Sequence, residues 1–363
     1  MPSLAAPRHA SIPASIVALA LFVAGHRALA QEAAGGELWT ERWQSARDPR
    51  RARVDALAAR AEASLDEAMI RDAELNMAAR MASSVFAYEE QRRSRALIDA
   101  ALRDARAALS LDPAHGLARY VVARVRERLD ASPAETIAAC NAALASLDAQ
   151  DRERRALLAF SLGVSHTRLE QHALARDAYE TIVDDPSAPG RATALCNLAE
   201  VHMYLGEVSR SLDRYRECSR LMPTNATAYW GLAVAHDRAA HDADSRIAAD
   251  RAVSMDPDLR DILGEGVFYV PAYERHYYVA IAREAQGRRP GESPALVAAL
   301  AAWRSYASEG GPSAPWIDRV QAHIRAIEVE LSLRARPSPS TRAAPSPRAL
   351  RAPPAPRGAS SRR

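Results

Sequence analysis

Three histidines fall at a near-constant interval, His166, His202 and His236, in the phrases LGVSH, LAEVH and LAVAH. Imidazoles in register could hold a metal ion if they converged. Two imidazole nitrogens bound to one zinc ion lie within about 4 Å of each other. Equivalent helices of successive units pack about 9–10 Å apart. A ladder of this period therefore does not converge, and no metal or other cofactor is expected. Each histidine shares its face with Leu and Ala, as a buried aromatic would. The cysteines, Cys140, Cys196 and Cys218, are odd in number and have no CxxC spacing. A Cys196–Cys218 bridge would suit an oxidising compartment, but the helical placement turns Cys196 away from Cys218, against such a bridge. No HExxH, phosphate-binding loop or GxSxG is present, and Gly264-Glu265-Gly266 lacks the third glycine of a dinucleotide loop. The expectation is a chain without catalytic residues.

The histidines sit within longer copies. An apolar residue, then Leu-Gly or Leu-Ala, then His recurs as Ala159…Leu162-Gly163…His166, Leu195…Leu198-Ala199…His202 and Tyr229…Leu232-Ala233…His236. Twelve residues after each Gly or Ala stands a small residue, Ala175, Ser211 or Ser245. Tyr179, Tyr215 or Ala249 follows four later, and Pro189, Pro223 and Pro257 close the units. A period of 34–36 residues means a stack of supersecondary units, each burying its face on the next. The extra residues of the first copy fall in the turn-rich DDPSAPG, 184–190, where an insertion costs little.

This pattern resembles the tetratricopeptide repeat, W-x2-L-G-x2-Y, A-x3-F, P over 34 residues. The resemblance is firm over 156–259. It implies an all-α, right-handed superhelical solenoid of antiparallel helix pairs, in which small residues let two helices approach and a terminal Pro breaks the chain into the next unit. Weaker copies extend it over 82–259, with one unit at about 82–115 closed by Pro113 and another at 116–149. Residues 31–81 read as linker and helices without the signature. In 260–333 the pattern decays into a degenerate pair, 276–288 and 294–307, and a capping helix with Trp316, Val320, Ile324, Ile327 and Leu331 on one stripe.

Composition agrees. The 363 residues are 48% hydrophobic and 6% aromatic, and all 48 basic residues are Arg. The basic excess is confined to the ends: residues 31–333 hold 38 Arg against 45 acids, a net of −7. An acidic body argues against nucleic acid as partner. Residues 1–30 read as an export signal, with Arg8 before the apolar run 15–25 and Ala28-Leu29-Ala30 before Gln31, placing the mature chain in the periplasm or outside the cell. Residues 334–363, with eight Arg, seven Pro and no acid, are expected to be disordered and suit contact with an anionic envelope surface.

Two surfaces are candidates for binding. At 100° per residue, Trp230, Val234, Asp237 and Arg238 point away from Leu232, Ala233 and His236; the equivalents are Cys196, Glu200, Met203 and Tyr204 in the middle unit and Phe160, Val164, Thr167 and Arg168 in the first. The resemblance implies that this face lines a concave groove for a protein or peptide segment. Family members that clamp a C-terminal carboxylate present Lys and Asn there, where this chain has Phe160 and Val164. The second is the run 264–278, with Phe268, Tyr269, Tyr273, Tyr277 and Tyr278 in an aromatic-poor chain. As a structural element it would seal the groove's end or brace the degenerate pair; as a site it would be a second pocket, or a dimer contact of a subunit or dimeric assembly factor. The leading expectation is a non-catalytic scaffold in the cell envelope; an enzyme without a known motif is the third reading.

Overall fold

The computed structural model describes residues 48–79, 84–129, 131–264, 269–289 and 291–335, and among these there is no strand. The signal segment, Phe268 and nearly all of the 334–363 tail lie outside the described residues.

The first pair is α1 (Pro49–Ala79) and α2 (Ser84–Leu111). Neither contains a Gly or a Pro beyond the opening Pro49, so nothing stops them short of 31 and 28 residues. Val54, Ala58, Ala61, Leu65 and Ala68 of α1 recur at helical spacing and are buried with Ile98, Ala101, Ala105 and Ala108 of α2. The expected unit at 82–115 is thereby corrected. Its residues form one helix rather than two, and the partner helix is α1.

Four shorter pairs follow: α3 (Gly116–Arg128) with α4 (Pro133–Leu144), α5 (Arg152–Arg168) with α6 (His172–Val183), α7 (Arg191–Tyr204) with α8 (Val208–Leu221), and α9 (Ala226–Arg238) with α10 (Asp242–Met255). Their boundaries follow from local chemistry. Ser132 and Glu135 form a reciprocal cap around Pro133 at the start of α4, and Asp151 and Asn225 cap α5 and α9. In the last three pairs the turn passes through one left-handed residue, Glu170, Gly206 or Ala240. Only Gly206 adopts that conformation without steric cost.

The small residues admit tyrosine rings. A Cβ on Gly163 would lie 2.5 Å from the Tyr179 ring, and one on Gly231 would lie 2.2 Å from the Tyr215 ring. Tyr215 of α8 thus packs onto the next unit's first helix, which is how one pair is keyed to its neighbour.

Register changes after α10. Asp256 caps the short α11 (Arg260–Leu263) by accepting from Arg260 N at 2.7 Å and Asp261 N at 3.0 Å. The chain then reaches α12 (Glu274–Gly287), α13 (Ser293–Gly310) and α14 (Ile317–Arg334). Met203, near the end of α7, meets Arg238 at the end of α9, so α7 and α9 run in the same sense. Arg238 pairs instead with Glu274 at the start of α12, and Gln286 near the end of α12 donates to Pro257 O, past the end of α10. Helix α12 therefore runs antiparallel to α9. Val320, Ile324 and Ile327 of α14 are buried, which closes the final apolar face. No described helix is long and apolar enough to cross a membrane.

Candidate functional site

The inner face over α7 and α9 is occupied by the chain itself. Glu200 of α7 accepts from the hydroxyls of Tyr215 and Tyr278 through the same oxygen. Arg238 pairs with Glu274, with both side chains buried, and its guanidinium lies 4.5 Å from the centre of the Tyr277 ring and 5.3 Å from that of Trp316. Tyr306 donates to the other oxygen of Glu274 at 3.1 Å. Beside this pair, Asp237 accepts from Tyr277 at 2.6 Å, and from Arg319 and His323 of α14 at 2.5 and 3.0 Å.

Most of the expected groove residues are therefore interior. Trp230 is 1% exposed, Met203 2%, Asp237 2% and Arg238 7%. Glu200 and Tyr204 are half-buried, and Tyr204 stacks on His172 with ring centres 4.8 Å apart. The reading of Trp230, Asp237 and Arg238 as groove-lining anchors is corrected here. A two-faced wheel supposes one packed side, whereas α9 has α7, α8, α10 and α12 around it, and ten of its thirteen residues are buried. Phe160 is corrected likewise: it is 1% exposed and meets Tyr179 edge-on at 5.9 Å. Of the expected set, Arg168 alone is exposed.

The aromatic run is turned inward. Tyr277 and Tyr278 are buried, and Tyr269 and Tyr273 half-buried, in T-shaped or tilted contacts with Trp303, Tyr306 and one another. This places the tyrosines as a brace across the inner face, and corrects their use as an open dimer contact. Burial pushes the phenols of Tyr277 and Tyr278 well above their ordinary range.

His323 joins α14 to this network. Its Nε2 faces Asp237 and its Nδ1 faces Glu284 at 2.9 Å, while its ring stacks on Trp303 at 4.5 Å. Burial opposes its charge, but the hydrogen bonds and charges of Asp237 and Glu284 outweigh burial and raise its pKa to about 9. Burial works against the Asp237 anion too, yet His323 and Arg319 hold that carboxyl well below its usual range. An imidazolium donating through both nitrogens has no lone pair with which to take a proton. Asp237–His323 is thus a structural ion pair, one that sequence reasoning missed because 86 residues separate its members.

The three repeat histidines share a role. Each places Nδ1 on the residue five positions on, which opens the second helix: His166 on Gln171 at 2.7 Å, His202 on Glu207 at 2.7 Å, His236 on His241 Nδ1 at 3.4 Å. His202 and His236 are buried and His166 is half-buried. Cys196 and Cys218, expected not to pair, form a disulfide with Cα atoms 5.5 Å apart. The antiparallel run of α7 and α8 sets the start of one beside the end of the other, so a residue turned from the core still borders its partner helix.

No family model matches the chain, and no curated protein matches it. Three solved structures are partial likenesses. The crystal structure of MamA protein is 16% identical, covering 47% of this chain and 88% of its own, at a TM-score of 0.39. The Pseudomonas aeruginosa pilF structure is 15% identical over 73% of this chain and 98% of its own, at 0.42. A tetratricopeptide repeat protein from Parabacteroides merdae is 13% identical over 76% and 99%, at 0.36. The repeat pattern of 156–259 and the packing of the helix pairs in this chain agree on a tetratricopeptide-type architecture.

Proposed function

We propose that this chain is a non-catalytic scaffold of the cell envelope that holds a partner protein's extended or helical segment on its inner face, beside α5. The observation that carries the reading is the chain's own segment lying along that face at α7 and α9, where Tyr278 reaches Glu200 and Glu274 reaches Arg238. A surface that accepts aromatic and charged side chains from its own sequence offers the same chemistry one unit earlier. There, Arg168 is exposed and Val164 half-buried. Partner and chain would meet through mixed apolar and charged contacts rather than through a clamp on a terminal carboxylate.

Two features of the chain support this location. Residues 1–30 have the form of a cleaved leader, and the Cys196–Cys218 disulfide suits an oxidising compartment. The arginines of 334–363 would add electrostatic attachment to an anionic envelope surface. N-terminal sequencing of the mature protein should begin at Gln31.

A photo-crosslinking side chain installed at Arg168 and, as control, at Leu174, which is 50% exposed on α6, decides the site. Adducts from envelope extracts should form at 168 and not at 174. Equal labelling at both positions would remove the inner face from the proposal.

A further inference from the structure

The third repeat histidine differs from the other two in what it faces. In the first unit His166 has Gln171 as its partner, and in the second His202 has Glu207, each at 2.7 Å. The second unit completes its turn with Arg210, which pairs with Glu207 at 3.2 Å and neutralises it. In the third unit the same two places hold His241 and Asp244. Imidazole replaces the amide or carboxylate, and a carboxylate replaces the cation.

Geometry follows that substitution. His236 Nδ1 lies 3.4 Å from His241 Nδ1 and 3.9 Å from Asp244 Oδ2, and the three ligand atoms all fall within 4.8 Å of one another. Two nitrogens bound at about 2.05 Å to one tetrahedral ion stand about 3.4 Å apart. The same separation is long for a hydrogen bond between neutral rings. His241 and Asp244 are exposed, so their side chains close on an ion by rotation alone, while His236 is held by its burial. Arg216 stands close enough to His236 to act on its charge. Arg216 is itself paired with Asp213 at 3.2 Å.

We propose that His236, His241 and Asp244 bind one zinc-class divalent cation in the turn between α9 and α10, with the fourth position open to water. Two imidazoles and a carboxylate on a turn suit a borderline divalent ion better than calcium or magnesium, which prefer all-oxygen shells. The ladder of repeat histidines contributes only its last member. The ion would tie α9 to α10 beside Asp242, which also accepts from Arg319 of the capping helix.

The test uses the untagged full chain, stripped with a chelator and titrated with zinc against a chromophoric competitor. His241→Gln recreates the histidine–glutamine pair of the first unit, so the stripped variant should melt like the stripped wild type. The expected result is one zinc per wild-type chain, with zinc raising its melting temperature. His241→Gln and Asp244→Asn should each lose at least about tenfold in affinity, while His166→Gln should bind as the wild type does. Absence of zinc binding by the wild type would overturn the proposal. So would equal binding by His241→Gln, or an equal loss in His166→Gln, which would mean scattered surface histidines.

Discussion

Tyr277 donates its hydroxyl to Asp237 at 2.6 Å, both side chains being buried and 40 residues apart in the chain. That bond joins the last regular unit to a helix running the opposite way. The inner face there has become part of the core.

The first consequence concerns Trp230. Had it lined an open groove, its truncation would leave the melting temperature almost unchanged. Buried as it is, Trp230→Ala should cost about 3–5 kcal/mol, and Tyr277→Phe about 1 kcal/mol for a lost hydrogen bond. Chemical denaturation checks both, and an unshifted midpoint for Trp230→Ala would contradict the packing.

The ion pair between α9 and α14 makes stability depend on pH. His323 is raised from its ordinary value near 6.5 to about 9, so its contribution is complete below about pH 6.5 and fades as pH rises through about 9. The Asp237 carboxyl is lowered, so its contribution holds above about pH 4 and is lost as the pH falls through its folded value. Melting temperature should decline between about pH 6.5 and 9 in the wild type and stay flatter there in His323→Gln. Parallel profiles would show that His323 is not charged in the fold.

Reduction should weaken the middle unit. The Cys196–Cys218 bridge closes a span of 22 residues, and removing such a crosslink costs about 3 kcal/mol by chain entropy. Cys196→Ser with Cys218→Ser should lower the denaturation midpoint accordingly. Cys140 is buried and its thiol is pushed up to about 12, by burial first and then by Glu127, so a thiol reagent should label it only after unfolding.

Gly231 tests how units are keyed together. Gly231→Ala drives a methyl group into the Tyr215 ring, and overpacking of this kind costs about 1–3 kcal/mol. Adding Tyr215→Phe leaves most of that cost in place, because the clash is with the ring. Full rescue by Tyr215→Phe would show that only the hydroxyl matters.

The helix pairs were legible because their signals are local: Gly163, Ala199 and Ala233 mark the close approach, and Pro223 and Pro257 mark the ends. The stripe through Val320, Ile324 and Ile327 gave the capping helix for the same reason. The pairing of α1 with α2 was not legible, since α1 bears none of the repeat's residues and the weak copy over 82–115 falls on a single helix. The candidate site fared worse. Whether Trp230 and Arg238 face solvent depends on where residues 269–278 return, and nothing at Trp230 records that. His236 meets His241 across one turn, whereas the 34-residue period relates histidines of different units.

The reversal at α12 also sets how such an array could change its length. Helices α7 and α9 open successive pairs in the same sense, so a duplicated unit placed between them would meet matching surfaces at both ends. After α10 that continuity is broken: Glu274 already neutralises Arg238, and α14 has covered the face a new pair would need. A pair inserted within the regular array would keep these contacts, whereas one added beyond α12 would have to displace α14.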